Sequence, residues 1–448
     1  MQTSRFEIDM CHGPLLKKMI LFALPLMATG VLQILFNAVD IIVVGRFAGA
    51  SSMAAVGATT PLVNIFVSFF IGLSMGGSVL AGHSYSSGNS KKLHNVVHTA
   101  IALALVLGIV MIFAGSILAR PILTLMGTPE DIINLSVLYL RIYFLAMPFL
   151  MLYNFGGAIL RAIGDTRRPL IYLTVSGICN IILNLVLVII FHLGVVGVAA
   201  GTFLSLMISS LLIVFTLYRS QGAYRLIPSD LRLHKQICFE LIAIGLPAGI
   251  QTSLINVSNA LLQSGVNSFG TLTVAANTAA NNMFGFMYQS INAVSQTGLN
   301  FSSQNTGVRD FKRVDQVMFR CCMIQIVLGT AVGMFVFFMR PLLLGIYSSD
   351  PDVIAQGSII LSISALTYCL CALMDMIPCV VRGMGYSLPP MIISVTGVVG
   401  IRIIWVMGYF PSHHTLWDLF LSYPISWIVT ATAHLICYAI VRKKVARK

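Results

Sequence analysis

The chain has 448 residues, 57% of them apolar and 9% charged, against about 25% charged in soluble domains. That composition excludes a soluble globular protein. The net charge of +13 does not imply a nucleic-acid partner, because the basic residues gather in short loops between apolar runs. The runs are continuous and lack the alternation of a membrane barrel, so helices are the expected spanning element.

Arg5, Lys17 and Lys18 precede the first apolar run, and no small-residue cleavage site follows, so this run is expected to be a retained span. In chain order the first half predicts spans at 19–44, 56–82, 96–118, 133–158, 170–191 and 196–218. The second half predicts 239–263, 275–302, 317–339, 357–381, 390–409 and 417–440. No charge occurs between Leu241 and Val308. The expected class is therefore an all-α polytopic membrane protein with twelve transmembrane helices.

The two halves repeat. Leu24-Pro25 returns as Leu246-Pro247, an offset of 222 (247 − 25). Arg120-Pro121 returns as Arg340-Pro341, and Arg161-Ala-Ile-Gly164…Pro169 as Arg382-Gly-Met-Gly385…Pro390, an offset of 221 (382 − 161). Six spans per half is an even number, so both halves enter the membrane from the same side and form two parallel six-helix bundles. The expected organisation is a bundle at 1–218, a linker at 219–237 and a second bundle at 238–448. All but five of the 27 basic residues fall in loops on one side of the membrane. The exceptions are Arg46, Arg120 and Arg340 on the other side and Arg141 and Arg402 within spans. Positive loops stay inside, so both termini are expected in the cytoplasm of a bacterial inner membrane.

Polar residues within the spans are the candidate functional groups. Gln33, Asn37 and Asp40 follow i, i+4, i+7 spacing and share one face of the first span. A carboxylate at a helix centre costs about 2.5–3.5 kcal/mol on insertion scales, which points Asp40 to the bundle interior and to a cation. The alternative places it at the outer interface, six residues from Arg46. Asn180 and Asn184 lie one turn apart on the fifth span and Thr202 lies on the sixth; interhelical bonding, about 0.6 kcal/mol per pair, would account for them alone. Asn256, Asn259 and Gln263 form a polar stripe on the seventh span, where Asn259 repeats Asn37 and Leu262 replaces Asp40. Asp375 stands in the tenth span opposite Asn154 of the repeat, either facing solute or ion or anchoring Arg382 or Arg402. Gly72–Gly76, Gly197–Gly201 and Gly329–Gly333 have the spacing of close helix packing. The nine cysteines form no Cys-x-x-Cys pair and read as packing residues. No Walker A sequence is present, so direct use of ATP is not expected.

These residues together resemble the multidrug and toxic compound extrusion (MATE) family, on its bacterial DinF-like or MepA-like side. The resemblance is carried by Leu24-Pro25…Gln33…Asp40, Gly45-Arg46…Ala54-Ala-Val-Gly57, Arg161-Ala-Ile-Gly-Asp165-Thr166…Pro169 and Ser303-Gln-Asn-Thr-Gly307. It implies two six-helix bundles around a cavity and an antiporter, not an enzyme, that exports organic solutes against H⁺ or Na⁺. It also implies cation coupling at Asp40 with Asn180, Asn184 and Thr202, and leaves Gln33, Asn37, Asn154, Asn256, Asn259, Gln263 and Asp375 as substrate or cavity residues. Relatives often carry an acid at the position of Asn184, and another branch carries one at the position of Ile255. The amide of Asn184 counts against a two-carboxylate proton site, while Ile255 leaves the sodium-type acid pair with Asp375 incomplete; on the latter ground H⁺ is the favoured coupling ion, with Na⁺ at the Asp40 cluster as the other candidate. No resident cofactor is expected. The expected partners are organic solutes and the bilayer, and a monomer is expected. A flippase for lipid-linked precursors is the rival, but it would want a strongly cationic cavity, and only Arg141 and Arg402 lie in spans.

Overall fold

The computed structural model describes residues 6–447, so Arg5 and Lys448 of the basic tally lie outside them. Every regular element among the described residues is helical. The first half holds α1 (Leu15–Val43, running into a π-helical turn at Val44–Ala48), α2 (Ala50–Ser86), α3 (Ser90–Leu125), α4 (Glu130–Leu145), α5 (Met147–Ala162), α6 (Arg167–Leu185, then a π-helical turn at Val186–Ile190) and α7 (Gly194–Arg219). The second half holds α8 (Lys235–Asn267), α9 (Thr271–Gly307), α10 (Phe311–Gly345), α11 (Pro351–Leu366) and α12 (Tyr368–Gly383). There follow α13 (Leu388–Ser394), α14 (Ile401–Ile404) and α15 (Phe410–His413), joined by π-helical stretches at Val395–Gly400 and Trp405–Tyr409, and α16 (Leu416–Ala446). The offset seen in sequence recurs in the element starts: α2 and α9 begin 221 residues apart (271 − 50), and so do α3 and α10 (311 − 90). Gly49 and Gly270, each at positive φ, open α2 and α9 at the same repeat position.

Among the described residues nine helices are long and apolar enough to cross a bilayer, and two bent pairs raise the number to eleven. The fourth and tenth expected spans are those pairs: α4–α5 bend by 45° and α11–α12 by 50°. In the first, Pro148 near the start of α5 has no N–H to continue the ladder of α4. In each case a glycine of the neighbouring helix lets the bend come close. A Cβ on Gly108 would lie 2.4 Å from Pro148 Cα, and one on Gly329 would lie 2.9 Å from Cys369 Cα, both offset by 221. The eighth expected span, α9, has 37 residues but is not among the apolar helices. Its polar side chains turn inward instead: Asn300 and Asn305 donate back to Gln296 and Phe301 carbonyls, and Gln325 of α10 donates to the Ile291 carbonyl at 2.8 Å. Apolar side chains face outward where lipid would lie, with Ile117 73% and Ile404 72% exposed. All nine cysteines are free.

The chain divides into two compact units, at boundaries that differ from those expected. The first unit takes residues up to Ile8 and Ala28–Gly245; the second takes Asp9–Met27 and Leu246–Lys448. The divisions fall beside Pro25 and Pro247, not at the basic linker. Packing explains why. In the second unit Met10, Leu15 and Met19 are buried, and Phe22 meets Phe301 edge-on at 5.6 Å. In the first, the start of α8 lies so close to α2 that a Cβ on Gly76 would come 2.2 Å from the Leu241 carbonyl, and one on Gly245 2.2 Å from that of Leu73. The linker is likewise built into the first unit: the Ile227 N–H donates to His98 Nε2 at 2.9 Å.

Candidate functional site

Asp40 is half-buried on α1, one residue after Val39, which packs on the buried cluster of Val43, Val44, Val188 and Val198. That apolar seam joins α1, α6 and α7 and brings Asn184 to the carboxylate: Asn184 Nδ2 donates to Asp40 Oδ1 at 2.6 Å. Asn180 Oδ1 is 3.4 Å from the same nitrogen. Asn180 and Asn184 are both buried. Asn184 Oδ1 is enclosed and has no hydrogen-bond partner among the described residues. It fits where it does because position 201 on α7 is glycine; a Cβ there would stand 2.0 Å from it. No Lys or Arg nitrogen comes within 4 Å of Asp40 among the described residues, and Arg46 is exposed.

The Asp40 carboxylate and the Asn180 amide oxygen thus meet at Asn184 Nδ2, while the orphaned Asn184 Oδ1 faces Gly201. Carboxylate and carbonyl oxygens suit a proton or a hard cation. Thr202 is on the adjoining helix, but its hydroxyl donates to the Val198 carbonyl at 3.1 Å and not to Asp40. Gln33 and Asn37 share the Asp40 face and are exposed. The π-helical turns begin at Val44 and Val186, just after Asp40 and Asn184. Such insertions open the backbone ladder and recur at functional sites.

The candidates of the second unit divide differently. Asp375 on α12 accepts from the Tyr288 hydroxyl at 3.3 Å, and no Lys or Arg nitrogen lies within 4 Å of it among the described residues. The expected anchors are engaged elsewhere. Arg382 hydrogen-bonds to Gln251. Arg402 donates to Asn259 Oδ1 at 2.9 Å and lies 4.3 Å over the Tyr423 ring. Gln263 accepts from Asn277 of α9 at 2.7 Å and donates to Asn267 at 2.9 Å. The polar stripe of α8 is therefore largely satisfied within the unit, and Asn256 also has a partner. Asn154 in the first unit has a buried Nδ2 with no partner.

Sequence reasoning missed Gly201 as a site residue, reading it only as packing, and missed Arg402 as the partner of Asn259 and Gln251 as the partner of Arg382. The amides of α8 and the arginines of α12 and α14 were visible, but nothing in their spacing pairs them. One group of metal-capable side chains occurs among the described residues, His94, His98 and Asp230. His98 is not available to it: Nδ1–H donates to the His94 carbonyl at 2.7 Å and Nε2 accepts from Ile227 N–H.

The MatE family model matches residues 25–186 and 247–407. The chain is 29% identical to "Probable multidrug resistance protein YoeA" of Bacillus subtilis, over 92% of this chain and 91% of that protein. It is 23% identical to "Multidrug export protein MepA" of Staphylococcus saprophyticus, over 91% of this chain and 90% of that protein. Among solved structures it is similar to an outward-facing conformation of a multidrug resistance MATE family transporter of the MOP superfamily. There the TM-score is 0.91 with 20% identity, and both chains are covered over 100% of their length. That likeness concerns the fold.

Proposed function

The chain belongs to the MatE family, and from that premise we propose that it is a secondary antiporter that exports amphipathic organic solutes, cations above all, in exchange for H⁺ or Na⁺. The observation that carries the reading is the Asn184–Asp40 contact at 2.6 Å within a seam of α1, α6 and α7. A lone carboxylate with no basic partner, held by an amide among buried side chains, gains most when a cation neutralises it. A proton would bind one carboxylate oxygen. Na⁺ would take the carboxylate and the Asn180 amide oxygen, and Asn184 Oδ1, which faces Gly201, would join them once the amide turns over. Because Ile255 stands where another branch carries the acid that partners a residue like Asp375, the sodium-type acid pair is incomplete, and H⁺ is the coupling ion we favour.

Neutralising Asp40 removes the charge that its surroundings must otherwise solvate, which lets the α1–α6 seam repack and shift solute affinity. For a neutral solute one charge falling through 100 mV releases about 2.3 kcal/mol, enough for a more than tenfold gradient, whereas one-for-one exchange with a monovalent cation is electroneutral and runs on the ion's chemical gradient. The chain is proposed to lie in a bacterial inner membrane with both termini and the 219–237 linker in the cytoplasm, as a monomer. Asp375, Gln33, Asn37, Asn154 and Asn256 are the proposed cavity groups.

Reconstituted vesicles with an imposed ΔpH or ΔpNa, separately, test the reading with a fluorescent cationic dye as solute. Dye uptake driven by ΔpH in wild type and lost in Asp40→Asn is expected. Drive by ΔpNa alone would replace H⁺ with Na⁺. Undiminished exchange by Asp40→Asn would remove Asp40 from the coupling.

A further inference from the structure

At the opposite end of α6 from Asp40, the first unit contains a cavity of about 950 Å³ that the transport reading does not use. Its walls come from the end of α2, the starts of α3 and α6, and the end of α7, and include Ser84, Arg168, Tyr172, Phe215 and Arg219. From Tyr172 to Asn184 is twelve residues of helix, about 18 Å, so this is a separate site. A second hollow of about 630 Å³ runs along α7, lined by Ile208, Leu211, Leu212, Phe215, Tyr218 and Leu226. Phe215 lines both, so a polar chamber opens into an apolar groove.

Charge is placed at the junction. Arg219 stands 4.8 Å over the Phe215 ring and Arg225 6.0 Å over that of Tyr218. Neither guanidinium has a carboxylate within 4 Å among the described residues. Of the other charged groups at the chamber, Arg168 has an ion-pair partner, whereas Glu7 is hydrogen-bonded by phenols and keeps its negative charge. Arg168 Nε meets Asp165 at 3.3 Å. Glu7 accepts from Tyr85 at 3.1 Å and from Tyr224 at 2.7 Å, one phenol to each carboxylate oxygen. The groove itself is open: Leu211 and Phe215 are each more than half exposed.

We propose that this composite site binds an anionic phospholipid, with its phosphate against Arg219 and Arg225, its polar head in the chamber and one acyl chain along the α7 groove. A lone phosphorylated solute would use the arginines but would leave the groove wet. A zwitterionic lipid would fill the groove and bring a phosphate, but its ammonium group would add a cation beside the two stacked guanidiniums. Only a ligand with both parts matches the two hollows that Phe215 joins.

Native mass spectrometry of the intact purified protein tests this, with phosphatidylglycerol and phosphatidylcholine of identical chains as probes and with glycerol 1-phosphate and inorganic phosphate as competitors. Wild type should retain phosphatidylglycerol well above phosphatidylcholine. Arg219→Gln with Arg225→Gln should lower retention by about fivefold per arginine removed. Leu211→Trp, which fills the groove and leaves both arginines, should lower it as well, so the proposal stays testable if the arginine variant misfolds. Equal retention of the two lipids, or retention unmoved in both variants, would overturn the proposal. Displacement of the lipid by glycerol 1-phosphate or inorganic phosphate would also overturn it, in favour of a soluble phosphate ligand.

Discussion

Arg402 donates from Nη1 to Asn259 Oδ1 at 2.9 Å, so the second unit holds a buried guanidinium between its first and fifth spans. The first unit joins the same two spans through Asp40 and Asn184. The repeats thus place opposite charges in related seams. A fixed guanidinium repels a small cation, which supports the proposal that ion coupling belongs to the first unit.

The two partners in the Arg402–Asn259 contact are not equivalent for stability. Arg402 Nε already lacks a partner, so Arg402→Met is expected to change stability by less than about 1 kcal/mol. Asn259→Leu strands the guanidinium and should cost about 1.5–3 kcal/mol. Thermal unfolding of both variants in one detergent checks the order; a larger loss for Arg402→Met would refute it.

Gly201 makes room for Asn184 Oδ1. Gly201→Ala should push the amide away from Asp40 and lower ion-driven dye exchange at least tenfold, with the protein still expressed and folded. Gly57→Ala on α2, where a Cβ meets nothing within 4 Å, is the control and should leave exchange intact. Equal exchange by both variants would separate Gly201 from the site.

Gly164 ends the turn between α5 and α6 at φ +100°, with a Cβ position 2.4 Å from the Ile8 carbonyl. Gly164→Ala should cost about 2 kcal/mol or more, from backbone strain and the clash together. Gly88 has φ +72° but open space, so Gly88→Ala should lose only the strain part, about 1 kcal/mol. Matching melting temperatures for the two variants would show that the Ile8 contact is not made.

Burial pushes the Cys11 thiol, ahead of α1, up to about 11, with the Asp9 carboxylate adding to the shift. At pH 8 about one thiol in a thousand is then the reactive thiolate. Maleimide modification of Cys11, followed by peptide mass spectrometry, should rise about tenfold per pH unit between pH 7 and 10. A plateau below pH 9 would contradict the burial.

The repeat was legible because prolines and positive-φ glycines leave marks that survive as single letters: Leu24-Pro25 and Leu246-Pro247, or Gly164 and Gly385. Helix content was legible because bilayer spans need long apolar runs. The 45° and 50° bends were less so. Pro148 hints at the first, but nothing at Thr367 announces the second; Gly329 on another helix admits it. The α9 helix was read as a span by its place in the repeat, although its hydropathy alone does not support one. Asp40 and Asn184 could be nominated separately from their helix faces, but only folding brings them together, and the role of Gly201 depends on the helix it faces. Anchoring of Arg382 or Arg402 was one of two readings of Asp375 beside an ion or solute role; each arginine finds an amide instead, because a side chain in a packed span reaches sideways to its neighbours.

The assignment of Asp9–Met27 to the second unit and of the start of α8 to the first bears on how the protein could be dissected. A fragment starting at residue 238 would leave Phe301 without Phe22, and Asn305 and Arg313 without the Met10 carbonyl to which they donate. The complementary fragment would lose Leu241 and Gly245 from beside Gly76 and Leu73. Scission at the basic loop therefore gives two mutually dependent pieces, each missing a strip that the other carries.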